Sequence, residues 1–89
     1  GKYTGFEDSY LSVTKALQHA ALALSRCLEI IWIEASDLEQ QGAPAWAKLR
    51  AADGILVPGG FGERGIPGMI EAVKFARENN LPYLGICLG

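Results

Sequence analysis

The chain has 89 residues, room for one small domain and not two, and a chain this short buries a smaller share of its surface than a large domain does. Half of it is hydrophobic (49%), and eight basic residues against ten acidic ones leave a formal net charge of −2, so no basic surface for nucleic acid is expected. No apolar run approaches the roughly 18 residues that a membrane span needs. Gly1-Lys2-Tyr3 carries no signal-peptide core, and a cytosolic location is expected.

Two cysteines, Cys27 and Cys87, stand too far apart to form a close metal-binding pair, and with a single histidine no metal site is expected. Gly1-Lys2-Tyr3 reads as the exit of a strand whose apolar body would precede it. That start, without Met, and the stop at Gly89 lead us to expect an internal fragment, one partial domain over residues 1–89.

In chain order, Asp8 and Ser9 are placed to cap a helix whose apolar stripe runs Tyr10, Val13, Leu17, Ala20, Ala21 and Leu24, matching the 3.6-residue period. His19 falls on the opposite face with Ser12 and Lys15, as a solvated surface histidine would. Leu28 to Ile33 is dense in Ile and Trp and reads as a strand covered on both faces, with Cys27 at its entrance as a packing residue. Glu34 to Pro44 is a polar loop with a short acidic turn of helix, and Ala45 to Ala52 is a weak helix with Trp46 and Leu49 on one side. Glu63 and the stretch Gln40 to Ala47 read as positions under little constraint.

Gly54 to Val57 is the next strand and ends on Pro58, after which the chain enters the glycine-dense loop Gly59 to Gly68. Pro67 pre-sets φ for a helix with Met69, Ala72, Val73 and Ala76 as its buried stripe, Asn79-Asn80 ends that helix, and Tyr83 to Ile86 is the last strand. With a strand before Tyr3, helices and strands alternate throughout. Such alternation implies an α/β fold, an open and mostly parallel sheet with helices on both faces. Ligands bind such sheets beyond the carboxyl ends of the strands, which is the edge that both glycine loops leave.

The second of these loops, Gly85-Ile86-Cys87-Leu88-Gly89, places a nucleophile between glycines two residues away on either side, straight off an apolar strand. That is the pattern of a nucleophile elbow. The turn is tight, and residues without Cβ let neighbouring backbone approach closely. A helix after the elbow would aim free N–H groups at the reacting centre, but the sequence stops before it. On the pentapeptide alone, a buried structural cysteine in an ordinary loop is an equal reading. The first loop, Val57-Pro58-Gly59-Gly60-Phe61-Gly62, adds backbone N–H groups able to face an oxyanion, with the Leu88 amide as the other donor. A phosphate loop fits less well, because neither a Lys-Ser/Thr pair nor a G-x-G-x-x-G spacing follows.

Together, Val57-Pro58-Gly59-Gly60-Phe61-Gly62, Arg64-Gly65 and Leu84-Gly85-Ile86-Cys87-Leu88-Gly89 resemble the class I (triad) glutamine amidotransferases. The Gly-Phe-Gly-x-Arg-Gly extension and the Gly-Lys-Tyr opening, with Asp8-Ser9-Tyr10, are similar to the branch that serves ATP-dependent amination of UTP to CTP. The resemblance covers the whole chain. It implies a flavodoxin-like three-layer sandwich, truncated here at the nucleophile elbow. It implies Cys87 as the nucleophile that forms a glutamyl thioester and releases ammonia. Gly59, Gly60 and Leu88 would bind L-glutamine and its oxyanion. Phe61, Arg64 and Gly65 would form a lid responsive to GTP, an allosteric activator.

The resemblance further implies a separate amidoligase domain of the same polypeptide using ATP and Mg²⁺, a tetramer at full length, and no cofactor within this segment. The family's catalytic histidine and its acidic partner would lie downstream of Gly89, so the isolated fragment is expected to be inactive. Two other readings stay open. One is a glutaminase feeding a different acceptor. The other is a flavodoxin-like binding or redox module in which Cys87 is oxidised rather than acylated.

Overall fold

The computed structural model describes residues 1–2, 10–60 and 63–87, and the statements below concern those residues. In chain order they form helix α1 (Leu11–Ala23), a 3₁₀ turn (Ala35–Glu39), helix α2 (Pro44–Ala51), strand β1 (Ile55–Val57), helix α3 (Ile66–Glu78) and strand β2 (Tyr83–Gly85). The two strands pair in parallel, as a strand–helix–strand unit with a crossover helix requires.

The core lies between the 3₁₀ turn, α2, α3 and β1. Leu38, Ala45, Trp46, Leu49 and Ala72 form one buried cluster, and Ala35, Val57 and Met69 form a second, bridged to the first by the partly buried Ile55. Trp46 packs edge-on against Phe75, at 5.8 Å between ring centroids, and its Nε1–H donates to the carbonyl of Gln40 at 3.1 Å. The stretch Gln40 to Ala47 is therefore constrained after all, because Ala45 and Trp46 are among its most buried residues.

Helix α3 begins at Ile66, with Gly65 capping it at φ 84° and Pro67 in its first turn. It ends as Asn79-Asn80 suggested: Asn80 turns left-handed at φ 54° and the Leu81 N–H donates back to Ala76 O at 2.9 Å. Helix α1 ends in the same way at Ser25, φ 54°, with Arg26 N–H donating to Ala21 O at 2.8 Å. At its other end Tyr10 occupies the cap with no side-chain cap bond; Asp8 and Ser9 lie outside the described residues.

Four expectations are corrected. Leu28 to Ile33 joins no strand ladder, since the sheet consists of β1 and β2, and Leu28, Ile31 and Trp32 are exposed rather than covered on both faces. Cys27 is an exposed free thiol, not a packing residue. In α1, Ala20 and Leu24 are exposed and only Tyr10 of the expected stripe is buried, its ring stacked on Trp32 at 6.1 Å. Val73 is exposed, because α3 turns Gly68, Met69, Ala72 and Ala76 inward instead.

Residues 27–33, with Tyr10, Val13 and Leu17, line one side of a cavity of about 710 Å³ whose other side is formed by β1, β2 and α3, whereas Ala20 and Leu24 lie outside it and face away. Leu28 to Ile33 runs along that cavity, and among the described residues no strand pairs with it. Its end does meet the start of the chain. Gly1 donates from its amino group to Ile33 O at 3.1 Å and accepts from Ala35 N–H at 2.7 Å, the two bonds a parallel ladder would make about Glu34.

Candidate active site

The register of the sheet is Ile55 with Tyr83, Leu56 with Leu84 and Val57 with Gly85, so both strands stop at the same level. The last ladder bond, Ile86 N–H to Val57 O at 2.9 Å, ties the two exits together. Beyond it one chain turns at the buried Pro58 into Gly59-Gly60, and the other reaches Cys87. The two glycine loops thus leave one edge of the sheet, the carboxyl edge, as the alternation of elements implied.

Cys87 has φ 58°, the left-handed region that a residue with a Cβ enters at a cost of about 1–2 kcal/mol. A nucleophile elbow, where the side chain stands out on a sharp turn, uses strain of this kind at an exposed thiol, and Ser25 and Asn80 reach the same region at helix ends. Gly59 lies directly against it. A Cβ at Gly59 would sit 3.3 Å from the Cys87 Cβ, tighter than an ordinary contact, and 3.5 Å from Ile86 O, so a side chain there would press on the cysteine and require it to give by a few tenths of an ångström. Gly60 follows, half-buried, while Phe61 and Leu88 lie outside the described residues.

Arg64 and Gly65 stand at the far root of the first loop. The Arg64 guanidinium spans two acceptors, donating from Nη1 to Glu34 Oε1 at 2.7 Å and from Nη2 to the carbonyl of Lys2. Gly65 is buried, and a Cβ there would meet Ala35 Cβ at 3.2 Å and Lys2 Cγ at 3.3 Å. Sequence reasoning missed Glu34 altogether. Nothing in a pair of charges thirty residues apart marks them as partners, and only the meeting of two segments in the fold does. It also missed Gly68, where a Cβ would fall 1.8 Å from Ala35 O.

His19, the one histidine of the sequence, is exposed on α1, as its position opposite the apolar stripe suggested. Among the described residues no group of three or more His, Cys, Asp or Glu side chains could hold a metal ion, and no helix is long and apolar enough to cross a membrane.

The family model of class-I glutamine amidotransferases matches residues 6–89. The chain is 58% identical to CTP synthase of Eremothecium gossypii and 58% identical to CTP synthase 2 of Saccharomyces cerevisiae, in each case over its whole length and 17% of the relative's. CTP synthase of Schizosaccharomyces pombe is 56% identical, again over the whole chain and 16% of that protein. Among solved structures, the glutaminase domain of Trypanosoma brucei CTP synthase with bound acivicin superposes with a TM-score of 0.89 at 43% identity, covering all of this chain and 34% of that one. The chain therefore spans about a sixth of the length of its curated relatives and has the fold of a glutaminase domain of this kind.

Proposed function

The chain belongs to the class-I glutamine amidotransferase family and corresponds to the glutaminase domain of CTP synthase, and from that premise we propose that Cys87 is its nucleophile toward L-glutamine. The observation that carries this reading is the pairing of a left-handed Cys87 with the side-chain-free backbone of Gly59 at the carboxyl edge of a parallel pair.

In this reading the Cys87 thiolate sulfur attacks the side-chain amide carbon of glutamine. The carbonyl oxygen becomes an oxyanion, held by backbone N–H groups at Gly59 or Gly60 and at Leu88. The intermediate collapses with cleavage of the C–N bond, and the nitrogen leaves as ammonia after taking up a proton. Water then hydrolyses the thioester to glutamate and regenerates the thiol. The base that moves these protons is not His19, which is exposed on α1, and the family pattern assigns it to a histidine with an acidic partner further along the polypeptide.

The ammonia passes to an amidoligase domain of the same polypeptide, where ATP and Mg²⁺ support amination of UTP to CTP in the cytoplasm. The lid formed by Phe61, Arg64 and Gly65 responds to GTP, and a tetramer is the expected assembly. The test is made on the full-length polypeptide that carries this chain. Cys87→Ala is expected to abolish CTP formation from glutamine and to leave formation from added ammonia. Survival of the glutamine route in that variant would overturn the assignment.

A further inference from the structure

We propose that Glu34 and Arg64 are positioning residues that act as one clamp, fixing Arg64-Gly65, the outer root of the first glycine loop, so that Gly59 stays against Cys87. The proposal rests on the reading of Cys87 as the nucleophile.

The loop has two roots. The inner one is β1, whose last residue Val57 is bonded to Ile86 N–H. The outer one is Arg64-Gly65, and it is held by a different part of the chain, the point where residues 1–2 meet residues 33–35. The Arg64 guanidinium reaches both sides of that junction at once, through Glu34 Oε1 at 2.7 Å and through Lys2 O. A planar fork with two fixed donor directions holds an angle as well as a distance, which a lysine ammonium would not do. Behind the fork, Gly65 and Gly68 seat directly on Ala35, the residue after Glu34. Releasing the fork would leave the outer root held only by the seat of Gly65 and Gly68 on Ala35 and by α3 itself.

Arg64 is more than half exposed and Glu34 about a quarter, with side-chain exposures of 56% and 24%, so the pair contributes little to global stability. Its value lies in placement. An oxyanion donor displaced by about an ångström loses much of its effect on the transition state and little of its effect on substrate binding.

Two measurements on the full-length polypeptide test this. In the first, Glu34→Gln and Arg64→Lys are each expected to lower kcat for ammonia release from glutamine by about tenfold with KM changed less than about threefold, the split expected when only transition-state contacts weaken. Glu34→Gln combined with Arg64→Ala is expected to lose no more than Arg64→Ala alone, as partners in one contact do. Full additivity, or kcat unchanged in both single variants while Cys87→Ala is inactive, overturns the clamp. The second measurement reads the tether whatever the reaction. Amide hydrogen exchange in peptides covering residues 57–65 is expected to rise at least about fivefold in Glu34→Gln, while α2 is unchanged. Unchanged exchange in the loop overturns the clamp. Absence of ammonia release from the unsubstituted protein would refute the nucleophile reading instead and leave the exchange result to decide the clamp.

Discussion

The hydroxyl of Tyr83 is buried with no hydrogen-bond partner among the described residues, and burial pushes its pKa above the ordinary tyrosine value. An unpaired buried hydroxyl costs on the order of 1 kcal/mol or more, so Tyr83→Phe is expected to stabilise the fold by about that amount in chemical denaturation. The raised pKa fixes the pH dependence. The unfolded chain ionises first, so stability is unaffected by this titration below the ordinary tyrosine pKa and falls as pH rises from there through the folded value. Tyr83→Phe is thus expected to flatten the alkaline loss of stability, and an unchanged alkaline limb would show that Tyr83 is not its source.

Two glycines separate backbone strain from crowding. Gly42, at φ 81°, has open space where a Cβ would sit, whereas Gly65, at φ 84°, faces Ala35 and Lys2. Gly42→Ala should cost about 1–2 kcal/mol from backbone conformation alone, and Gly65→Ala should cost more. Equal losses would mean that the contacts to Ala35 and Lys2 are not tight. At this scale the meeting of Gly59 with Cys87 was legible only indirectly, because alternating strands and helices put both glycine loops on one edge of the sheet. Glu34 was not, because its role exists only where its segment meets Arg64.

Among elements, α3 depends on one close approach. Gly68 sits in its first turn, and a methyl group there would overlap Ala35 O, so helix and 3₁₀ turn can touch only through a bare α-carbon. Gly68→Ala is expected to destabilise by about 2–4 kcal/mol, outweighing the roughly 1 kcal/mol that alanine gains over glycine in a helix. A neutral or stabilising result in urea unfolding would show that α3 shifts freely on the 3₁₀ turn. The helices, the two paired strands and the left-handed end of α3 were readable from periodicity and from Asn79-Asn80, whereas the left-handed end of α1 at Ser25 was not. The pairing of Leu28 to Ile33 was not, because an apolar run states a propensity to be covered and does not supply the neighbouring strand that would cover it. The same holds for α1, which has no buried residue and of whose stripe only Tyr10, Val13 and Leu17 line the cavity.

For the whole molecule, the cavity divides the described residues into a packed part, built from the 3₁₀ turn, α2, β1 and α3, and a loosely covered part, α1 with residues 27–33. Exposed Leu22, Leu24, Leu28, Ile31 and Trp32 all belong to the second. The isolated 89-residue chain is therefore expected to melt broadly by circular dichroism and to bind a hydrophobic dye, and a sharp cooperative transition from a monomer would contradict that. It is also expected to release no ammonia from glutamine above a Cys87→Ser control, since its one histidine is exposed on the loosely held helix.

The central claim is that the meeting of the two glycine loops makes Cys87 the glutamine-reactive thiol, and the two exposed cysteines allow a test within one molecule. The measurement is peptide mass spectrometry after treating the full-length polypeptide with a glutamine analogue that carries an electrophile in place of the amide. One adduct on Cys87, suppressed by added glutamine, with Cys27 unmodified, is the predicted result. Equal labelling of Cys27 and Cys87, or labelling of Cys87 that glutamine does not suppress, would contradict it.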